Sequence, residues 1–224
     1  MRIFIINPNS DPDMTSRIQR SAQEYAVGEF EVDTRLTPGA PRFIETYQDR
    51  VQAAPGMMRL VRDNEPDSDA FVIACHSDPN VDAIKEMTER PVVGIGEASM
   101  KIATMLGHSF SVITTHRHSI PGKLAQARKY HLQEQLVSVR APDEGREGFD
   151  DQDLFLALSR AAVHDDLAEV IVLGCAGLSG IDKMIQQALG VPVLDGVICA
   201  LILATGLVRY RVSTSRAFGY DPKC

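Results

Sequence analysis

Short apolar runs alternate with amphipathic stretches along the whole chain. The runs fall at Ile3–Ile6, 30–36, 69–75, 91–95, 109–114, 136–140, 169–174 and 192–195. Each is strand-sized and bounded by turn residues, and most are apolar throughout, as buried parallel strands are. Between them the spacing changes to three and four. Met14, Ile18, Ala22 and Tyr25 form one such stripe, which predicts a helix starting near Pro12. Ser10 or Asp11 would be its N-cap, Pro12 its first residue and Gly28 its stop. A loop, Thr37-Pro38-Gly39-Ala40-Pro41, leads to helical material up to about Asn64, with an interruption expected at Pro55-Gly56. Further helices are expected at 79–88, 97–106 and 196–210. The tail, 211–224, should return to the first half of the chain or lie on the surface.

Strand then helix, eight times over, predicts an α/β protein with parallel strands covered on both faces. The pattern also repeats. The run ending in Cys75 is matched by the one ending in Cys175, and Pro91–Ala98 by Pro192–Ile198. The first strand, leading into Asn7-Pro8-Asn9-Ser10, is matched by Phe110–Ile113, leading into Thr114-Thr115-His116. Three matches in the same order, about 100 residues apart, indicate a duplicated half. The duplication favours two facing lobes, each with a four-stranded parallel sheet. The alternative, an eight-stranded barrel, typically needs about 250 residues. The expected division is 1–98 plus 207–224 for the first lobe and 99–206 for the second. In either fold the loops after the strands form the functional surface.

Composition narrows the partners. The 224 residues are 44% hydrophobic, enough for a sizeable core, with no Trp and a net charge of −7. Scattered basic residues and few aromatics speak against nucleic acid. The most apolar stretch, Val197–Val208, is too short for a membrane span, and Ile3–Ile6 reads as a strand rather than a signal peptide. Four cysteines without framework spacing read as free thiols in the cytoplasm. Gly94-Ile95-Gly96 lacks the dinucleotide pattern, and Glu97 reads as a helix N-terminal charge. His116 and His118, one residue apart, are poor evidence for a metal, and none is expected.

Cys75 and Cys175 carry the chemistry. Two thiols at matched strand ends of two halves suggest a cleft with one on each wall. Such a pair can remove a proton from one face of a carbon and return one to the other, the chemistry of a cofactor-independent racemase. After Cys75, Asp78 reads as an N-cap and Pro79 as the first residue of a helix whose positive end would favour thiolate. After Cys175, Ser179 and Asp182 read as a capping box, and Ala176 and Gly177 leave their amides open to an enolate-like oxygen. His76 could tune Cys75, contact substrate or end the strand. Thr114 and Thr115 offer hydroxyls to a carbonyl or carboxylate. Asn7 and Asn9 suit both turn chemistry and substrate contact. Cys199, inside an apolar helix, reads as core filler, and Cys224 as incidental.

These motifs together resemble the aspartate/glutamate/hydantoin racemase superfamily, and within it the hydantoin/allantoin racemase branch. The resemblance rests on Ile6–Ser10, Met14-Thr15, Pro41–Glu45, Ala74-Cys75 with Asp78-Pro79, Pro91–Ala98, Gly174–Gly177 and Val191–Val197. It implies two αβα lobes related by a pseudo-twofold axis, with the site between them and no cofactor. It also implies that Cys75 and Cys175 are the acid/base thiols. Asn9, Thr115 and the amides around His76–Ser77 and Ala176–Gly177 would surround the substrate carbonyls. The sequence departs from the branch at His76, where an aromatic residue is frequent, and at Asn80, where Gly is usual. Both touch on substrate identity. The expected activity is racemisation of a small 5-substituted hydantoin-type compound, allantoin included, by a homo-oligomer. Alternatives on the same fold are an Asp/Glu racemase, a maleate-isomerase-like enzyme or a decarboxylase. An alternative of another class is a non-catalytic small-molecule-binding protein.

Overall fold

The computed structural model describes residues 1–143 and 151–222; Cys224 lies outside them. The first half runs β1 (Arg2–Asn7), α1 (Pro12–Ala26), β2 (Glu31–Leu36), α2 (Tyr47–Asn64), β3 (Ala70–Ile73), α3 (Val81–Met87), β4 (Val92–Gly94) and α4 (Ile95–Leu106). The second runs β5 (Phe110–Ile113), α5 (Ile120–Lys129), β6 (Leu136–Arg140), α6 (Gln152–Asp165), β7 (Val170–Leu173), α7 (Asp182–Leu189), β8 (Val193–Asp195) and α8 (Gly196–Tyr210). The strands form two four-stranded parallel sheets, ordered β2-β1-β3-β4 and β6-β5-β7-β8. The same order in both halves bears out the two-lobe reading over the barrel.

Burial explains why the central strands β1, β3, β5 and β7 carry no alternation, whereas the edge strand β2 alternates. Ile3 to Ile6 are all fully buried, because helices cover both faces of the sheet. Ile3, Ile5, Ala70 and Val72 pack on one face with Ile18 and Ala22 of α1. Phe4, Ile6, Phe71 and Ile73 pack on the other with Met57 and Val61 of α2 and Ile84 of α3. In the second half Ile113, Ile171 and Leu173 meet Phe155 of α6 and Ile185 of α7.

The last helix of each half covers the other half's sheet. Met100 and Ala103 of α4 sit against Phe110, Val112, Val170 and Val172 of the second sheet. Ala200, Leu201 and Ala204 of α8 sit against the first. The two helices also pack on each other. α8 runs unbroken through residues 206 and 207. The tail then returns to the first half, as expected: Tyr220 Oη donates to Asp82 Oδ1 at 2.8 Å, and Arg216 donates to the carbonyls of Glu86 and Thr88.

Three local expectations are corrected. α2 continues through Pro55-Gly56, because the stripe of Ala53, Met57 and Val61 is buried against the first sheet and outweighs one missing hydrogen bond. The buried stripe of α1 ends on Ala26 rather than Tyr25, which is 37% exposed and meets Phe30 edge-on. α3 starts at Val81, not at Pro79.

Leu201 tests the exchange of helices. It is fully buried, so Leu201→Ala should cost about 2–5 kcal/mol in urea denaturation. A cost below about 1 kcal/mol would mean that α8 does not hold the first sheet.

Candidate active site

Five loops converge between the sheets, one after each of β1, β2, β3, β5 and β7. They enclose a cavity of about 300 Å³. Asn9, Ala74 and Cys75 line it from the first half, and Thr115, Cys175 and Ala176 from the second. Met14, Phe43 and Ile44 add apolar surface. Glu45 Oε1 stands 3.8 Å from His116 Nε2, bringing together a loop from each half. Both thiols are free and partly exposed.

Each cysteine has local partners. Cys75 Sγ lies 3.3 Å from Ser77 Oγ. Cys175 Sγ accepts from the Gly177 amide at 3.4 Å. Enclosure by protein pushes the Cys175 thiol up to about 11, and the Gly177 amide pulls against that. Asn9 is oriented by its network. Its Oδ1 accepts from the Asp11 amide at 3.0 Å and from Asn7 Nδ2 at 2.7 Å. Its Nδ2, 3.1 Å from Met14 Sδ, keeps a donor for the cavity.

The expected caps are rearranged. Asp78 does not cap α3, whose N-cap is Asn80 in the left-handed region. Asp78 instead accepts from the first amides of α4, Gly96 N at 2.9 Å and Glu97 N at 2.7 Å. Gln126 Nε2 at 3.0 Å and Tyr130 Oη at 2.7 Å complete its shell. Burial pushes this carboxyl up to about 6, against the Tyr130 hydroxyl, the Gly96 and Glu97 amides and the charge of Lys123. The physical reason for the switch is that the start of α4 is buried between the halves and needs an acceptor. Ser179 and Asp182 form no capping box. Ser179 Oγ donates to Asp195 Oδ1 at 3.2 Å, and Asp195 caps α8 through Val197 N at 2.7 Å. α7 begins only at Asp182, after Ile181.

Thr114, His76, Ser77 and Gly177 lie outside the cavity lining, and Thr115 lies on it. Thr114 Oγ1 is bonded to Ser119 Oγ at 2.7 Å. Thr115 Oγ1 is 2.8 Å from His116 Nδ1. His76 is 1% exposed and turned away: its Nδ1 is 2.9 Å from Lys123 Nζ and its Nε2 is 3.3 Å from Ser99 Oγ. Burial, then the charge of Lys123, lowers its basicity well below the ordinary histidine value, so the ring is neutral. Cys199 is 2% exposed within α8 and does not line the cavity. Among the described residues no group of three His, Cys, Asp or Glu side chains is placed to hold a metal ion.

Lys123 is the functional candidate that the sequence reading missed. It is 4% exposed. Burial lowers its pKa to about 8, and the charges of Cys75, Cys175 and Asp78 hold it up. A signal was available. Lys123, Gln126, Ala127 and Tyr130 are spaced as one face of α5, and that face is turned inward. Two polar residues on the stripe hid it.

The lysine makes stability depend on pH. Its value in the folded state, about 8, is below its ordinary 10.5. Between those limits the unfolded chain holds a proton that the folded chain has released, so this group makes stability rise with pH there. Below the window the folded state carries the full penalty of a buried ammonium. Lys123→Met should therefore be more stable than the parent by up to about 3 kcal/mol near neutrality. The gap should close by about pH 10 in urea denaturation across pH. A gap that widens with pH would contradict this.

The chain has known relatives. The chain is 34% identical to a hydantoin racemase of Pseudomonas sp. (strain NS671), over 98% of this chain and 91% of that protein. The structure of allantoin racemase from Klebsiella pneumoniae superposes with a TM-score of 0.93 at 30% identity, covering 98% of this chain and 92% of that one. Allantoin racemase from Pseudomonas fluorescens superposes with 0.92 at 30% identity, covering 100% and 98%. The Asp/Glu/hydantoin racemase family model matches residues 3–204, through both sheets and both cysteine loops, and the chain belongs to that family.

Proposed function

We propose that the protein is a cofactor-independent, two-thiol racemase of a small 5-substituted hydantoin-type compound, allantoin included. The observation that carries this reading is a cavity with Cys75 on one side and Cys175 on the other. One thiolate takes the proton from ring carbon C5. The electron pair moves onto the adjacent carbonyl oxygen as an enolate, and the opposite thiol delivers its proton to the other face. The product then leaves with the thiol roles reversed, ready for the other enantiomer. General acid–base transfer of this kind supplies roughly 10²–10⁴-fold. Orientation of the ring and stabilisation of the enolate must supply the rest.

The lining supports a neutral cyclic substrate. Asn9 Nδ2 and the Thr115 hydroxyl suit ring carbonyls, and Met14, Phe43 and Ile44 suit a substituent at C5. An aspartate or glutamate substrate brings two carboxylates and calls for cations. Arg42 and Arg117 are instead engaged with Asp11 and Asp143, and neither lines the cavity. The hydantoin and allantoin racemases among its relatives point the same way. A reducing cytoplasm suits two thiols that must stay unpaired. Among the described residues no helix is long and apolar enough to cross a membrane.

Polarimetry of allantoin and simple alkyl hydantoins in deuterated water tests the activity. Inversion should come with deuterium at C5, and inversion without it would overturn the proton-transfer mechanism. Cys75→Ser and Cys175→Ser should each abolish racemisation, because an alcohol is much harder to ionise than a thiol. Each variant should retain slow exchange of the C5 proton for one enantiomer only, the one whose hydrogen faces the surviving thiol. Cys199→Ser should keep turnover near the parent rate. Rapid racemisation of aspartate with none of hydantoins would replace the substrate class.

A further inference from the structure

The cavity lining carries a polar pair that the proton transfer does not use. Glu45 of the loop after β2 and His116 of the loop after β5 both line it, one from each half. Local structure holds each in place. Glu45 precedes Thr46, the N-cap of α2, and its amide donates to Asp49 Oδ2 of the capping box at 3.1 Å. The His116 carbonyl accepts from the Ser119 amide at 3.1 Å and from Ser119 Oγ at 2.8 Å. The Glu45 and His116 side chains are 52% and 32% exposed, whereas Asn9 and Thr115 are buried. The pair therefore stands at the mouth of the cavity, with the groups suited to ring carbonyls deeper inside.

The two side chains approach each other without bonding. Glu45 Oε1 and His116 Nε2 are 3.8 Å apart, beyond hydrogen-bond reach. Among the described residues, neither the Glu45 carboxylate nor His116 Nε2 has a hydrogen-bond partner. His116 Nδ1 is engaged, 2.8 Å from Thr115 Oγ1. The tautomer that leaves the Thr115 hydroxyl proton free for a ring carbonyl donates from Nδ1 and keeps a lone pair on Nε2. The mouth then offers hydrogen-bond acceptors from both halves. Among the described residues no Lys or Arg lines the cavity to answer them.

We propose that Glu45 and His116 determine specificity by accepting the N–H groups of a ureido substituent at C5, so that the substrate is the 5-ureido compound, allantoin, rather than an alkyl hydantoin. The inference rests on the hydantoin-type racemase reading above and narrows it. A terminal urea presents two parallel N–H groups that match the two oxygens of a carboxylate, much as a guanidinium does. Its remaining N–H is available to Nε2. An alkyl substituent takes water from the carboxylate and gives it no partner, which disfavours that substrate. An anionic substituent is repelled. An ammonium substituent answers the charge, but it is strongly hydrated and must shed water beside Phe43 and Ile44, the neighbours of Glu45 on the lining. The neutral ureido group supplies donors without that penalty.

The test compares kcat/KM for allantoin, 5-isobutylhydantoin and 5-(aminoethyl)hydantoin. The parent should favour allantoin over both of the others by about tenfold or more. Glu45→Ala should lower the allantoin-to-isobutyl ratio by about tenfold. The loss should lie mainly in KM for allantoin, because the contact is remote from C5 and is the same in the ground and transition states. Glu45→Gln, which keeps one acceptor oxygen, should fall between Glu45→Ala and the parent. His116→Leu, which makes the mouth apolar, should lower the same ratio. A purely structural defect slows both substrates in proportion and leaves the ratio where it was. A ratio in Glu45→Ala equal to that of the parent would overturn the proposal. So would a parent that prefers the isobutyl or the aminoethyl compound, a measurement that needs no folded variant. Failure of the racemase reading itself looks different: the parent would racemise none of the three compounds, and the proposal would fall with it.

Discussion

The first backbone amides of α4 are buried in the seam between the two halves, and Asp78 meets them there. A helix start buried without an acceptor is costly, so this contact decides how the halves are joined. The same carboxylate takes Gln126 and Tyr130 of α5, so one side chain ties the loop after β3 to α4 and α5. Gly94 and Gly96 exist for this joint. A Cβ at Gly94 would strike the Asp78 carboxylate, and one at Gly96 would strike Gln126 and the His76 carbonyl. Cys75 and His76 precede Asp78 in that loop, so the geometry of the candidate site follows from the joint.

The second half solves the same problem with a different residue. Asp195 stands at the strand end that corresponds to Gly94, and it caps its own helix, α8. Ser179 and Ser21 donate to it, the latter from α1 of the first half. Each half therefore carries one buried acceptor at the start of its last helix, and each acceptor reaches into the other half. With α4 and α8 exchanged between sheets, neither half is covered without its partner, which fixes the cavity between them.

Electrostatics sets a second condition. A cavity that excludes water favours neutral thiols, yet proton abstraction needs a thiolate. A helix end is one source of positive field, and the sequence suggested one after Cys75. α3 is short and starts too late to serve. The buried ammonium of Lys123 stands instead against His76, the residue that follows Cys75. His76 is one of the two positions, with Asn80, at which the sequence departs from the branch it resembles.

The sequence by itself determined the eight strands, the duplication, the two-lobed class and the two cysteines at matched strand ends. These are local matters: a short apolar run bounded by turn residues fits a strand buried on both faces, and a repeat in register carries its loops with it. Asn9, Thr115 and Ala176 were legible because each sits one to three residues past such a strand. What the tertiary structure decided is where polar groups find partners. Asp78 and Ser179 carry the local signature of caps, and both were drawn to acceptor or donor needs of distant helices. Lys123 drew no reading from the sequence, because one helical turn does not reveal which neighbour will bury it. Burial and charge compensation depend on groups far apart in the chain, and only the packing of α4, α5 and α8 brings those groups together.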